Sequence, residues 1–142
     1  MKLLILNGPN LNRLGVREPD IYGRETYDEL MEKLKSFAEE RGHDCTFFQS
    51  NHEGDLIDRI QAAEGRFDGI VINPAAYTHY SIAIRDALLS VSVPAVEVHL
   101  SDINAREAFR RVSVTKDACI AQVAGQGIGS YFEAVKILEG TR

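Results

Sequence analysis

Glutamate and histidine stand two residues apart in the run Val96-Glu97-Val98-His99. If that run is a strand, its period of two puts both side chains on one face. A carboxylate beside an imidazole fixes the tautomer and favours the protonated ring, which would make His99 a general acid. The competing reading is a surface histidine that caps the next helix. Tyr22 is a second candidate. A phenol titrates near pH ~10, too high for a base at neutral pH. Guanidinium groups favour the phenolate, and Arg13, Arg17 and Arg24 are close in sequence. Otherwise Tyr22 packs its loop onto the sheet. Asn73-Pro74-Ala75-Ala76-Tyr77-Thr78-His79 offers an amide, a hydroxyl, an imidazole and helix-start amides; Asn73 as a turn former and His79 as a first-turn residue are the plainer readings. Ser101 falls at a predicted helix start, where free N–H groups bind carboxylates, or it is an ordinary cap. Arg106 and Arg110 are four apart on one predicted helical face, with Arg111 beside them; a solvated basic face would look the same.

Apolar runs and helical patterns alternate along the chain and must carry these groups. Leu3–Leu6 reads as the first strand, and Asn7-Gly8-Pro9-Asn10 breaks it. Residues 11–24 then show no clean period, yet include Leu11, Leu14, Ile21 and Tyr22. A stretch this long and this apolar is expected to be an active-site lid rather than a solvated linker. Thr26 to Glu29 fits a capping box, followed by Tyr27, Leu30, Met31, Leu34, Phe37 and Ala38 at helical spacing and a stop at Gly42. A second strand is expected at Asp44–Gln49, and a second capping box at Ser50 to Glu53 opens a helix that ends near Gly65. Gly69–Ile72 is the third strand, and Thr78 opens a helix through Leu89. Val93–Val98 is the fourth strand, Ser101 or Asp102 caps a short helix around Arg106–Phe109, Ala118–Val123 is the fifth strand, and Ser130–Leu138 is the closing helix.

Continuously apolar central strands alternating with helices predict a parallel sheet covered on both faces. With right-handed crossovers, the expected fold is α/β: one domain over residues 1–142, with a doubly wound five-stranded sheet of order 2-1-3-4-5. Ligands in such sheets bind beyond the carboxyl ends of the strands at the switch point. That rule selects residues 7–10, 50–53, 73–79 and 99–102, where the polar residues cluster. Cys45 and Cys119 belong to opposite edge strands in this order, so they are expected as buried thiols rather than a bridge.

The 142 residues carry a net charge of −5. That balance disfavours a nucleic-acid partner, which would call for a basic stripe. No apolar run approaches a membrane span, and the four aliphatics after Lys2 fall short of a signal-peptide core, so a cytoplasmic location is expected. Gly125-Gln126-Gly127-Ile128-Gly129 follows the last strand rather than the first, which argues against a dinucleotide loop. His52, His79 and His99 lack metal-ligand spacing. Lys116 is the one lysine near the sheet, and its place before strand five argues against imine chemistry.

Four segments, LILNGPNLNRLGVREPDIYG, FFQSNHEGDLID, INPAAYTHYSIAIRDAL and PAVEVHLSDINAREAFR, carry a resemblance over essentially the whole chain. In them the sequence resembles the type II 3-dehydroquinate dehydratases. The resemblance implies a flavodoxin-like fold and a lyase of the shikimate pathway. The family dehydrates 3-dehydroquinate to 3-dehydroshikimate through an enolate, with no metal, no imine and no cofactor. It implies Tyr22 as the base, Arg17 as the loop arginine that lowers its pKa, His99 as the acid and Glu97 as its orienting carboxylate. Asn10 would stabilise the enolate through a water. The Leu100 backbone and Ser101 would hold the substrate carboxylate, and Asn73, His79 and Arg110 its hydroxyls. Asp86 would reach a neighbouring subunit's site in a homododecamer, a tetramer of trimers. The sequence departs from the family pattern at Ala75, where many members have Gly, at Val112, in Thr115–Ala118 and at Gln126. The rival expectations are a non-catalytic flavodoxin-like binding or regulatory protein, and a hydrolase using Ser101, which lacks a strand–Ser–helix elbow.

Overall fold

The computed structural model spans residues 1–142 and describes all of them except Arg17 and the side chain of Tyr22. Five strands form one parallel sheet: β1 (Lys2–Asn7), β2 (Asp44–Gln49), β3 (Gly69–Asn73), β4 (Ala95–His99) and β5 (Ala121–Ala124), in the order β2-β1-β3-β4-β5. The helices are α1 (Pro19–Tyr22), α2 (Tyr27–Glu40), α3 (Glu53–Ala62), α4 (Ile82–Leu89) and α5 (Gly129–Glu139).

Alternation along the strands separates two cores. Leu3, Ile5, Val71, Val96 and Val98 face α2 and α5, where Leu34, Tyr131 and Leu138 are buried. Leu4, Leu6, Ile70, Ile72 and Ala95 face α3 and α4, against Leu56, Ile60, Ile84 and Leu88. Burying a Leu or Ile fully contributes about 1.5–3 kcal/mol, so both faces of the sheet are committed and its register is fixed. Helix α2 begins after Thr26 as expected, with the hydroxyl half of the capping box in place: the Thr26 hydroxyl accepts the Glu29 N–H at 3.2 Å. Gly42, at φ +82°, takes the left-handed turn that follows its end.

Several local expectations are corrected. Ser50 does not cap α3. Its N–H donates to Asn7 O and stays on the sheet ladder, while its hydroxyl accepts from His52 N and donates to Asp55. His52 occupies the cap position. Thr78 does not open α4. It lies in a 3-10 turn (Ala75–His79), and Ser81 caps the helix by accepting Ile84 N–H. The link from β4 to β5 holds 3-10 turns at Ile103–Ala105, Ala108–Arg110 and Lys116–Ala118 instead of a helix, and Asp102, not Ser101, caps the first. Strand β5 starts three residues later than expected, because Ile120 N–H reaches Ala95 O and register begins at Val96↔Ala121. Cys45 and Cys119 are half-buried free thiols. Burial pushes them up to about 11 and about 12 respectively, which keeps both un-ionised at neutral pH.

The expected lid is not structureless: it contains a 3-10 turn at Leu11–Arg13 and the short helix α1, and Leu11 and Leu14 are buried. No helix among the described residues is long and apolar enough to cross a membrane.

Candidate active site

A pocket opens at the carboxyl ends of β1, β3 and β4, where the order 2-1-3-4-5 reverses direction. Pro9, Asn10, Leu11 and Leu14 line one side of it. Asn73, Ala75, Ala76 and His79 line a second, and His99 to Ser101 with Ile103, Arg106 and Arg110 complete it. The expected residues Asn10, Asn73, His79, His99, Leu100, Ser101 and Arg110 are therefore brought together. Asp86 is not: it lies on the exposed outer face of α4, away from this pocket. The roles expected for Arg17 and the Tyr22 side chain lie outside the described residues.

The pocket floor is a buried ion-pairing group. His99 Nε2 lies 2.8 Å from Glu97 Oε2, and Glu97 is fully buried. An ionised carboxylate only accepts, so His99 Nε2 carries the proton of this bond, and Nδ1 is the ring nitrogen outside it. Glu97 also accepts from Thr78 at 2.8 Å, from Gln122 Nε2 at 2.7 Å, from Ser113 at 3.2 Å and from the Thr115 hydroxyl. Burial by itself would raise its pKa; the His99 bond and charge, with the Thr115 and Gln122 bonds, outweigh burial and hold the carboxyl below its usual range. Sequence reasoning offered the Thr78 hydroxyl only as a group of the loop after β3, not as a partner of Glu97, and missed Ser113, Thr115 and Gln122. Only the β4–β5 pairing, which sets Gln122 opposite Glu97, could have pointed to one of them.

Two side chains have their hydrogen-bond sense set by the backbone. His79 Nδ1 lies 2.7 Å from Val112 O, which can only accept, so Nε2 is left as the acceptor of a neutral ring. The bond uses a main-chain oxygen, and the Val112 side chain is 54% exposed, so the departure at that position leaves the contact intact. Asn73 Oδ1 accepts Ala75 N–H at 3.0 Å, and Asn73 Nδ2 donates to Tyr131 Oη at 2.9 Å. Ala75 sits at φ +52°, a left-handed conformation that costs a non-glycine residue about 1–2 kcal/mol. Asn10 is also left-handed, at φ +70°, where asparagine is better tolerated; its N–H donates to Asn51 Oδ1 at 3.0 Å. Gly8 joins the two loops: its N–H donates to Asn73 O at 2.8 Å, and a Cβ there would lie 2.7 Å from Pro74 O.

The outer wall is cationic. Arg110 Nε lies 2.8 Å from Glu107 Oε2 but off the N–H direction, so the contact is Coulombic rather than a hydrogen bond. Arg106 Nη2 lies 3.7 Å from Glu18 Oε2, bridging the wall to the residue before α1. Arg106 was readable in sequence only as a partner of Arg110 on a supposed helix; two 3-10 turns bring both to the pocket instead. Among the described residues no cluster of His, Cys, Asp or Glu has a metal-holding arrangement.

Fold and pocket together define a doubly wound parallel α/β protein with a polar pocket at its switch point, above a carboxylate–imidazole pair. The family model described as dehydroquinase class II matches residues 1–139. The chain belongs to that family. A relative from Halalkalibacterium halodurans named 3-dehydroquinate dehydratase is 56% identical over 141 residues, covering 99% of this chain and 97% of its own. One of the same name from Carboxydothermus hydrogenoformans is 58% identical over 92% of this chain and 85% of its own. The crystal structure of a type II dehydroquinase from Butyrivibrio crossotus superposes with a TM-score of 0.96 at 51% identity, covering 98% of this chain and 97% of that one.

Proposed function

We propose that this dehydroquinase-family enzyme is a lyase that removes water from 3-dehydroquinate through an enolate, as a step of the shikimate pathway. The observation that carries the reading is the buried Glu97–His99 pair, 2.8 Å apart, on the floor of a pocket that Asn10, Asn73, His79, Ser101 and Arg110 also line. Tyr22 takes the proton next to the ketone, and its pair of electrons passes to the ketone oxygen as an enolate. Arg17 keeps the phenol ionised. A water held by Asn10 stabilises the enolate oxygen. As the enolate collapses to a conjugated enone, the carbon–oxygen bond breaks and the hydroxyl leaves with a proton from His99. Glu97 stabilises the imidazolium before that transfer. General base and acid each supply about 10²- to 10⁴-fold.

The substrate carboxylate is held by the Leu100 backbone and Ser101, and its hydroxyls by Asn73, His79 and Arg110. Thus His79 Nε2 accepts from one hydroxyl while Asn73 donates to another. Self-assembly fits the outer face of α4: Ile82 and Leu89 are 55% and 58% exposed and share a helical stripe with Asp86. Packing of copies there, towards a dodecamer, would cover them and bring Asp86 to a neighbour's pocket.

Mixing the protein with 3-dehydroquinate and following ultraviolet absorbance tests the reading: a rise from the conjugated product is expected. A flat trace from folded protein would favour a binding role without turnover. Tyr22→Phe should cut kcat about 10²- to 10⁴-fold with the substrate still bound; normal turnover by that variant would place the base elsewhere.

A further inference from the structure

Tyr131 lies on α5, far from the pocket in sequence, and is almost wholly buried. It nevertheless touches the site. Asn7 and Asn73 end neighbouring strands in register, and the Tyr131 hydroxyl bridges their side chains. It donates to Asn7 Oδ1 at 2.7 Å and accepts from Asn73 Nδ2 at 2.9 Å. Asn7 Nδ2 continues the chain to Tyr27 Oη at 3.1 Å and to Met31 Sδ at 3.4 Å.

The direction of this chain is over-determined. At one end Ala75 N–H can only donate, so Asn73 must present Oδ1 to it and Nδ2 to Tyr131. At the other end a thioether can only accept, so Asn7 must present Nδ2 to Met31 and Oδ1 to Tyr131. The phenol has one proton, and both ends require it to point at Asn7. Burial pushes this phenol far above its ordinary pKa, so the proton stays on it across the working range. One N–H of Asn73 Nδ2 is thereby used, and the other remains for the pocket that Asn73 lines.

We propose that Tyr131 is a positioning residue for substrate recognition: through the Asn7–Tyr131–Asn73 chain it holds the Asn73 amide as an N–H donor, so that this wall of the pocket selects a ligand oxygen with a free lone pair. The proposal rests on the dehydratase reading only for the identity of that ligand. A side chain that met the ligand with its carbonyl would require both amides to flip and would set Asn73 Nδ2 against Ala75 N–H. The chain is neutral throughout, so it orders Asn73 without placing a second charge near the Glu97–His99 pair.

A double-mutant cycle tests it. Wild type, Tyr131→Phe, Asn73→Ala and the double variant are assayed with 3-dehydroquinate, after circular dichroism confirms that each is folded. Tyr131→Phe keeps the ring and removes the hydroxyl, so KM should rise about tenfold with kcat within about twofold of wild type. In the Asn73→Ala background the same substitution should change KM by less than about twofold, because its effect runs through Asn73. An unchanged KM in Tyr131→Phe, or an equal increment in both backgrounds, overturns the proposal; a merely structural tyrosine would give the latter. Should Tyr131→Phe not fold, neutron diffraction of the wild-type protein decides. The Tyr131 deuteron is expected on the Asn7 side, and one found towards Asn73 overturns the assignment. If wild type leaves 3-dehydroquinate unchanged, the dehydratase reading has failed, while the neutron maps still judge the hydrogen-bond direction.

Discussion

Two polar networks support the pocket floor from opposite faces of the sheet, and one is charged while the other is neutral. On the α4 face, Glu97 gathers His99, Thr78, Thr115 and Gln122 around a buried carboxylate. On the α5 face, Tyr131 joins two carboxamides in a chain with no ionised member. A buried charge holds its neighbours through Coulomb energy and strong hydrogen bonds, but it makes them depend on pH. A neutral chain cannot move a proton at neutral pH, yet it fixes which atoms donate. The contrast suggests a division of labour: the α4 face sets where protons reside, and the α5 face sets which ligand groups are accepted.

Glu97→Gln should break the charged side most severely. It leaves His99 without its anion and the hydroxyls without their best acceptor. A loss of about 2–3 kcal/mol in stability at pH 7 is expected, with kcat reduced at least about 10²-fold. The sign with pH follows from the lowered carboxyl pKa. The wild type's advantage is whole above the ordinary glutamate range near ~4.3 and shrinks as pH falls through the depressed value. Melting curves of the two proteins should therefore converge in acid; a gap that stays constant down to low pH would remove the charge from the explanation.

Asn73→Ala sharpens the comparison from the neutral side. KM should rise by about tenfold, and the ratio to wild type should hold within about twofold between pH 6 and 9, since nothing in its chain ionises there. A ratio that changed strongly across that range would erase the distinction between the faces. The smallest effect belongs to Ala75→Gly, at the joint between Asn73 and the following turn. Glycine relieves the left-handed strain but gains freedom when unfolded. A net gain of roughly 0.5 kcal/mol is expected, or about 1–2 °C in Tm by calorimetry. A loss of stability would mean that φ +52° is not strained here.

The strand order and three of the four loop clusters were legible because each strand is a short apolar run with a punctuated exit; residues 50–53 after β2 do not line the pocket, and Asn51 accepts the Asn10 N–H beside it. Glu97 and His99 were legible because a period of two needs no knowledge of the partner strands. Thr78 was not: a threonine three residues before Ser81 has the same capping preference, and only the buried Glu97 carboxylate tells them apart. Ser50 failed for a similar reason, since the sheet ladder extends one residue beyond β2. Thr115 and Gln122 look like ordinary polar residues near an edge strand until β5 pairs with β4. Tyr131 reads as a helix residue pointing at the core, which it is; its hydroxyl acquires meaning only when two asparagines far apart in sequence arrive side by side at the ends of neighbouring strands.

The contact of Gly8 with Pro74 also limits how such an enzyme can be redesigned. Main chain touches main chain there, so the spacing between the loops bearing Asn10 and Asn73 works as a fixed gauge. A library that varies side chains around the cavity could retune polarity, but not the length of molecule that fits between those loops. Accepting a longer or shorter compound would call for insertions or deletions in one of the two turns.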